Sequence, residues 1–305
     1  MVFRYEYKGG VWVDLEQPTE EEIREVAREF AISERIESEL LSPTPSPVVA
    51  GEPGIGLLIL HFPAHGMDEG YTKNQEIDFV VGSRFILTVR YEVVASLHRL
   101  KKLLETEAFI AEGAAIGTDV LLELLFAHLY TAIRDHASHS ASRLTQVEHE
   151  MFDGRERQTV RAISDVSREF LHLEAALANQ EEPLVSFLKS LAARNFFGPT
   201  FSERAARILA ERAQIAHLVR THRAVATELR ETNSSLLGAR QNEIMKTLTL
   251  ITVLVLPLEL IAFIFGMHAQ GTPLEESPNA FWIIMAIMLA TVGVMTVFAA
   301  RKRWI

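Results

Sequence analysis

The chain has 305 residues, of which 48% are hydrophobic, and its 30 basic and 40 acidic side chains give a formal net charge of −10. This acidic balance argues against nucleic acid as a partner, because phosphate backbones require a basic surface. The absence of cysteine fits a reducing compartment. The composition is uneven, since the chain is mixed and charged up to about Lys246 and almost wholly apolar beyond it.

The N-terminal part, residues 1–200, is typical of a cytoplasmic domain of mixed α and β structure. Residues 11–15 (VWVDL) predict a short strand, and a helix is predicted to begin after Pro18, with Thr19 and Glu22 forming a capping box. The Pro- and Gly-rich residues 42–54 predict a surface loop. Three runs rich in β-branched and aromatic residues predict a meander of consecutive strands at 56–62, 76–82 and 84–90.

Helical patterns follow from about Val94 to Phe197, with breaks predicted near Gly113, Gly154 and Gly198. No phosphate-binding loop, nucleophile elbow or zinc-protease motif occurs in this part, so the sequence predicts that the protein is not an enzyme. His136 and His139 have the three-residue spacing of two metal ligands on a helix. A solvated helix face explains that spacing equally well, so both interpretations stay open.

A single long helix is predicted from Ser202 to Met267, with residues 201–246 as a stalk. Its roughly 65 residues would extend about 100 Å. Apolar residues recur on a seven-residue repeat, which predicts association with identical copies. His222 and Thr232 fall on the same seam, and the repeat positions are Ile208, Ile215, Leu218, Val225, Leu229, Leu236 and Ala239.

Two transmembrane helices are predicted at 247–267 and 280–300, each long enough to cross a hydrocarbon core of about 30 Å. A periplasmic loop, 268–279, joins them, and a basic tail, 301–305, follows. The basic residues flank the outer ends of the two helices, at Arg240, Lys246 and 301–303, whereas the loop carries Glu275 and Glu276 and no Lys or Arg. This distribution predicts a multi-pass protein of the inner (plasma) membrane with both termini in the cytoplasm.

One face of the first membrane helix is expected to line an axis if parallel copies associate. Continuing the spacing of three and four residues places seven residues on this face, which ends beside His268. Glu259 is the one ionisable residue of 247–267, and an intramembrane carboxylate normally faces a cavity, a partner or an ion path. Snorkelling of the Glu259 side chain toward the membrane surface, or pairing with a donor of a neighbouring helix, is the alternative. The predicted face comprises Met245, Leu248, Thr252, Leu256, Glu259, Phe263 and Gly266.

These features resemble the CorA metal-ion transporter family, together with its ZntB-like zinc-transporting branch. The segment 242–268, a short acidic loop, a second apolar helix and the terminal RKRWI match the family in order, and so do the VWVDL strand and the stalk. The family's Gly-Met-Asn motif stands here as Gly266-Met267-His268. The residues that fall in register with the family are Asn242, Met245, Lys246, Leu248, Thr249, Pro257, Gly266 and Met267.

The resemblance implies a funnel-shaped homopentamer in the lipid bilayer, with an α+β cytoplasmic domain, a stalk helix and a central pore lined by the first membrane helix. Met245, Leu248 and Leu256 would be hydrophobic constrictions, and residues 266–268 the pore entrance and selectivity segment. Glu231 aligns with an acidic stalk residue that takes part in inhibitory metal binding in some members. Divalent cations would be cargo and regulators, and no permanently bound cofactor is implied.

The departures from the family pattern bear on the choice of ion. His268 replaces an amide oxygen by imidazole, which Zn²⁺, Co²⁺ and Ni²⁺ accept more readily than Mg²⁺ does. Glu259 stands where magnesium transporters have a neutral hydroxyl residue, and Phe263 stands where they have glycine. A ring of carboxylates would bind divalent cations, and a ring of phenyl groups would narrow the path. Glu275 and Glu276 are expected to attract cations to the mouth.

Three hypotheses follow from these residues. The first is a channel-like transporter of divalent cations, with Mg²⁺ as the family's default cargo and Co²⁺ or Ni²⁺ as further cargo. The second is a ZntB-like Zn²⁺ transporter, with or without proton coupling, which His268 and Glu259 favour. The third is a membrane scaffold or regulator that conducts no ion.

Overall fold

A computed structural model describes residues 1–63, 74–110, 117–194, 196–267 and 278–301. The chain divides into two compact units, Met1–Arg230 and Glu231–Ile305. The first unit contains the sheet and most of the helices, and the second contains the apolar helical segments.

The centre of the first unit is a six-stranded mixed sheet with the strand order β1-β2-β6-β5-β4-β3. The parallel pair is β2 and β6, and the other neighbours are antiparallel. The predicted meander is confirmed as β4, β5 and β6. The strands are β1 (Val2–Tyr7), β2 (Gly10–Glu16), β3 (Val48–Glu52), β4 (Ile55–Pro63), β5 (Asn74–Gly82) and β6 (Phe85–Arg90).

Two strands at the edges of the sheet differ from the sequence prediction. Residues 48–52 form β3, although the whole of 42–54 was expected to be loop. Strand β1 was not predicted, because its alternating partly exposed pattern contains only six residues. Both are edge strands, which have only one hydrogen-bonded neighbour. Their sequences contain few buried apolar residues, so the pattern that predicts a strand is weak.

Helices α1 (Glu20–Glu29) and α2 (Glu34–Leu40) cover one face of the sheet. The predicted capping box is confirmed, because the Thr19 hydroxyl accepts a hydrogen bond from the Glu22 amide and the Glu22 carboxylate accepts one from the Thr19 amide. Ile23, Val26 and Ile36 pack against apolar side chains of this sheet face. The helix pair therefore closes the first hydrophobic core.

The helices of the opposite face are α3 (Ala95–Ile110), α4 (Thr118–Phe152) and α5 (Glu156–Ala193). The ring of Phe79 on β5 stacks on Phe126 of α4 with their centroids 5.0 Å apart. Gly56 on β4 lies against Phe187 of α5, where a Cβ atom would come within 3.1 Å of the ring. The break predicted at Gly154 is confirmed by a φ of 88°, and the one near Gly113 lies outside the described residues.

Helix α6 runs without interruption from Phe201 to Gly266. Much of the apolar surface of the seven-residue repeat in its first half is buried within the same chain, and association with identical copies stays a prediction. Ile208, Ile215 and Leu229 are buried there, whereas Val225 is 41% exposed. Burial follows the 3.6-residue period of a helix packed on its own domain, and it includes Val219 and Ala226 outside the expected seam.

Contacts within the first unit also account for the polar residues of this part of α6. His222 stacks on Phe170 of α5 with 5.6 Å between the ring centroids, a contact within the same chain. Arg204 bonds Asp119 at 2.8 Å and Glu123 at 2.7 Å, and Arg207 bonds Glu123 at 2.5 Å. Long-range ion pairs thus fix the start of α6 on α4.

The second unit contains the end of α6 and helix α7 (Ala280–Arg301). Both helices are long enough and apolar enough to cross a membrane. Pro257 lies inside α6 and removes one main-chain donor, so the carbonyl of Val253 loses its usual helical partner. The helix nevertheless continues for nine residues to Gly266.

Candidate functional site

The predicted pathway residues that the structure describes lie on the last third of α6. Leu248 is 55% exposed, Leu256 59% and Phe263 70% in the single chain. Residues on other faces of the same segment are equally open, since Val255 is 42% and Leu260 58% exposed. Burial in one chain therefore does not distinguish the predicted face from the rest of the helix.

A shallow, open groove on the final turns of α6 has the exposed Glu259 among its lining residues. Its lining residues are Glu259, Ala262, Phe263, Gly266 and Met267. Glu259 and Phe263 are four residues apart, and so are Phe263 and Met267, so that they lie one above another on a helix. The amide of Met267 donates to the carbonyl of Phe263 at 3.1 Å, which extends the helical pattern to the edge of the described segment. The groove thus combines one carboxylate with apolar walls.

Other polar groups on this segment are the threonine hydroxyls. Thr252 donates its hydroxyl hydrogen to the carbonyl of Leu248 at 2.9 Å, and Thr249 donates to Met245 at 2.8 Å. Each hydroxyl oxygen keeps acceptor capacity after this bond. Thr252 is exposed and lies two turns before Glu259, so both can offer oxygen atoms to a cation or its water shell.

Several predicted site residues lie elsewhere. His268, Glu275 and Glu276 are outside the described residues, and their predicted roles stay predictions. Glu231 is exposed on α6, where its carbonyl accepts the Ser235 hydroxyl at 3.1 Å, and it is 28 residues before Glu259. Within the described part of one chain, no group of three or more His, Asp or Glu side chains is arranged to hold a metal ion.

A buried ionic network on β2, β6 and α3 was not predicted from the sequence. Asp14 and Arg90 are fully buried and paired at 3.0 Å, and the Thr88 hydroxyl donates to Asp14 at 2.6 Å. Lys101 and Glu16 complete the network. Burial alone would raise the pKa of Asp14, but Arg90 and Lys101 outweigh it and hold that pKa below its usual value. The sequence contained one indication of this network, because Asp14 interrupts the otherwise apolar strand VWVDL.

A second unpredicted cluster lies where β4 and β5 meet the segment after α2. Glu76 accepts hydrogen bonds from the Thr44 amide at 2.7 and 3.0 Å and lies 3.2 Å from His61 Nε2. The neighbouring Asp78 is fully buried. Burial first, and then the Glu76 carboxylate, raise the pKa of Asp78 well above its ordinary value, while the hydrogen bond to Glu76 raises the pKa of His61.

Comparisons with known proteins agree across the chain. The sequence profile of the CorA-like Mg²⁺ transporter protein family matches residues 7–301. A curated relative, the cobalt/magnesium transport protein CorA of Methanocaldococcus jannaschii, is 22% identical over 300 residues, which cover 97% of this chain and 91% of the relative.

Solved structures show the same fold. The complete structure of the CorA magnesium transporter from Methanocaldococcus jannaschii has a TM-score of 0.78 at 21% identity, covering 99% of this chain and 94% of that one. The full-length CmaX protein has a TM-score of 0.61 at 19% identity and covers 97% and 89% of the two chains. The α+β domain, the long helix and the C-terminal apolar helix therefore occur together in these proteins.

Proposed function

The chain belongs to the family of CorA-like Mg²⁺ transporter proteins, whose members carry divalent metal ions across membranes, and on that premise we propose that it forms a homopentameric channel for divalent cations. In this proposal α6 of each copy lines a central pore and α7 lies outside it. The observation that carries the proposal is the groove on α6 in which Glu259 stands among apolar walls.

The position of Glu259 has an energetic cost that an ion path explains. A carboxylate near the middle of a membrane helix costs at least about 2.5–3.5 kcal/mol on insertion scales unless it faces water or a partner. No other ionisable residue occurs in 247–267, so this segment supplies no cationic side chain to neutralise it. A pore axis provides both water and passing cations.

Assembly of five copies would turn one carboxylate into a ring. Like charges at short distance repel, so such a ring binds protons or divalent cations more readily than an isolated carboxylate does. Thr252 would add a ring of hydroxyl oxygens below it, and Phe263 a ring of phenyl groups above it. In this proposal the path alternates apolar constrictions with layers of oxygen atoms. The oxygen atoms can contact partly hydrated ions, and the apolar constrictions disfavour a continuous file of water.

Mg²⁺ is the cargo we propose first, with Co²⁺ and Ni²⁺ as further cargo, and Zn²⁺ remains the alternative that His268 favours. The proposed orientation places both termini in the cytoplasm of a cell whose inner (plasma) membrane holds the two apolar helices, because the flanking basic residues lie on that side. His268 would then meet ions at the pore mouth, with Glu275 and Glu276 beside it, and Glu231 would lie on the cytoplasmic stalk.

Flux into proteoliposomes tests the proposal. The full chain is reconstituted, and uptake of Mg²⁺, Co²⁺, Ni²⁺ and Zn²⁺ is followed with and without a pH gradient. Glu259→Gln should change the rate or the apparent metal affinity by about tenfold, the scale of one lost charge-assisted contact. Glu243→Gln is the matched control, since it removes an exposed carboxylate from the same helix outside the apolar segment.

The outcomes separate the three hypotheses. Zinc uptake that disappears without a proton gradient would favour the ZntB-like alternative, and no uptake of any ion would favour the scaffold. Equal effects of Glu259→Gln and Glu243→Gln would remove Glu259 from the pathway. Native mass spectrometry of the detergent-solubilised protein tests the assembly separately, and a monomer would contradict the pore even if some flux were measured.

A further inference from the structure

A cavity of about 600 Å³ lies in the first unit, between the ends of strands β4 and β5, the start of α3 and the middle of α4. None of the residues assigned to ion passage lines it. Its volume is within the range of about 300–1,000 Å³ typical of small-molecule sites. Sites of this kind combine apolar walls with a few polar groups that fix the ligand's orientation.

The walls of the cavity are mainly apolar and come from three elements. Phe62 and Pro63 end β4, Val93 precedes α3, and Leu129 and Ile133 are buried residues of α4. Side chains of this kind gain free energy by covering an apolar ligand body, at about 25 cal/mol for each Å² removed from water. A wholly polar or highly charged ligand would gain no such free energy from contact with these apolar walls.

Donor groups converge on the same cavity. Ala95 and Ser96 form the first turn of α3, and residue Val94, which precedes them, has no side-chain oxygen with which to cap it. Main-chain amides at a helix start carry partial positive charge and favour an anion. Arg99, on the next turn of α3, also lines the cavity, and it is exposed and has no ion-pair partner among the described residues.

Helix α4 contributes polar side chains to the opposite wall. The histidine pair noted in the sequence, His136 and His139, lines the cavity together with Asp135. His136 is only 8% exposed, so it contributes an imidazole edge to a largely dry wall. The carboxylate of Asp135 repels every negative charge near it, so the cavity favours a ligand with a single acidic group, placed beside Arg99, over a ligand with several.

We propose that this cavity binds a small amphipathic monoanion, a molecule with an aromatic or alkyl body and one carboxylate or comparable acidic group. The body occupies the apolar walls, and the acidic group accepts hydrogen bonds from Arg99 and from the first turn of α3. The ligand therefore binds the first unit at residues that take no part in the proposed pore.

Photolabelling of the full chain tests this proposal. The probe is 4-benzoylbenzoate, a photoreactive aryl carboxylate, and its neutral analogue is 4-benzoylbenzamide. After irradiation of the detergent-solubilised protein, peptide mass spectrometry should locate the carboxylate probe on the α4 peptide that contains Leu129 and Ile133. Micelle-bound probe would instead label α7 and the end of α6, and both probes would do so.

Three variants separate specific from incidental labelling. Arg99→Gln should lower labelling of the α4 peptide about tenfold at limiting probe concentration, the effect of losing one charge-assisted hydrogen bond. Arg161→Gln, an exposed arginine of α5, is the matched control and should label as the unaltered protein does. Ala132→Phe fills the cavity from α4 and should abolish the labelling.

The proposal is overturned if the α4 peptide is not labelled, or if the amide labels it as strongly as the carboxylate. It also fails if Arg99→Gln and Arg161→Gln have the same effect. Arg99→Gln alters an exposed side chain, so its result does not depend on whether Ala132→Phe folds.

Discussion

Asp78→Asn is expected to make the first unit less sensitive to alkaline pH. Asp78 is fully buried beside Glu76, and burial followed by that neighbouring carboxylate raises its pKa well above the ordinary value of 3.8. The Tyr91 hydroxyl lies 3.4 Å from Asp78 Oδ2 and 2.9 Å from the Leu40 carbonyl, its better acceptor. Asparagine keeps the shape of the side chain and supplies a donor toward Glu76 without any ionisation.

The sign and size of the effect follow from proton linkage. Between the unfolded pKa near 3.8 and the higher folded pKa, the native state holds one proton on Asp78 that the unfolded state has lost. Stability is therefore greatest below the unfolded pKa and falls by about 1.4 kcal/mol for each pH unit until pH passes the folded pKa. The pKa of His61 is also raised, from an ordinary value of 6.5, so above pH 6.5 its loss of a proton likewise lowers the stability of the fold.

Thermal unfolding of the detergent-solubilised protein from pH 5 to pH 9 measures this dependence. A domain of this size shifts by about 2–4 °C for each kcal/mol, so the unaltered protein should lose about 3–6 °C per pH unit across the window of Asp78. Asp78→Asn should remove that part of the slope and leave the part due to His61. Asp165→Asn, on α5 with a side chain that is 47% exposed, is the control and should leave the slope unchanged.

An Asp78→Asn variant with the pH slope of the unaltered protein would refute the reasoning, because Asp78 would then hold no additional proton in the fold. That slope would refute it whether the variant is as stable as the unaltered protein or is destabilised by the same amount at every pH.

Three further predictions concern the two units separately. Asp14→Ala leaves Arg90 and Lys101 buried without their shared carboxylate. It should lower the free energy of unfolding, measured by chemical denaturation, by about 3–5 kcal/mol, and a decrease of less than about 1 kcal/mol would contradict the importance of the network. Thr19→Ala removes one half of the capping box and should cost about 1 kcal/mol in the same assay. Phe263→Ala should raise divalent-cation flux into proteoliposomes if the phenyl ring narrows the path, and unchanged flux would place the ring outside it.

The sequence predicted the elements with strong local signals. The capping residues of α1, the three strands of the meander and the break at Gly154 each depend on neighbouring residues, so they were visible without a structure. The long uninterrupted helix followed from the absence of proline before Pro257. The CorA-like order of motifs near the C-terminus indicated the family that the profile and the solved structures then showed.

The parts that were missed depend on contacts between distant residues. Asp14 and Arg90 are 76 residues apart, and His61 and Glu76 meet only because β4 and β5 pair in that register. The intrachain packing of the repeat on α6 could not be predicted for the same reason, because a repeat shows which side chains are apolar and not which helix covers them. In this chain Phe170 of α5 lies against His222, a place that a second copy was expected to fill.

The most direct test of the central claim is thiol modification of the pathway, because the chain has no native cysteine. Phe263→Cys and Ile264→Cys are reconstituted separately, and divalent-cation flux is measured before and after a water-soluble cationic methanethiosulfonate is added. Residues 263 and 264 point about 100° apart on the helix. If copies of α6 line the pore, the reagent blocks flux through Phe263→Cys and leaves Ile264→Cys unaffected; block of both, of neither or of Ile264→Cys alone would contradict the account.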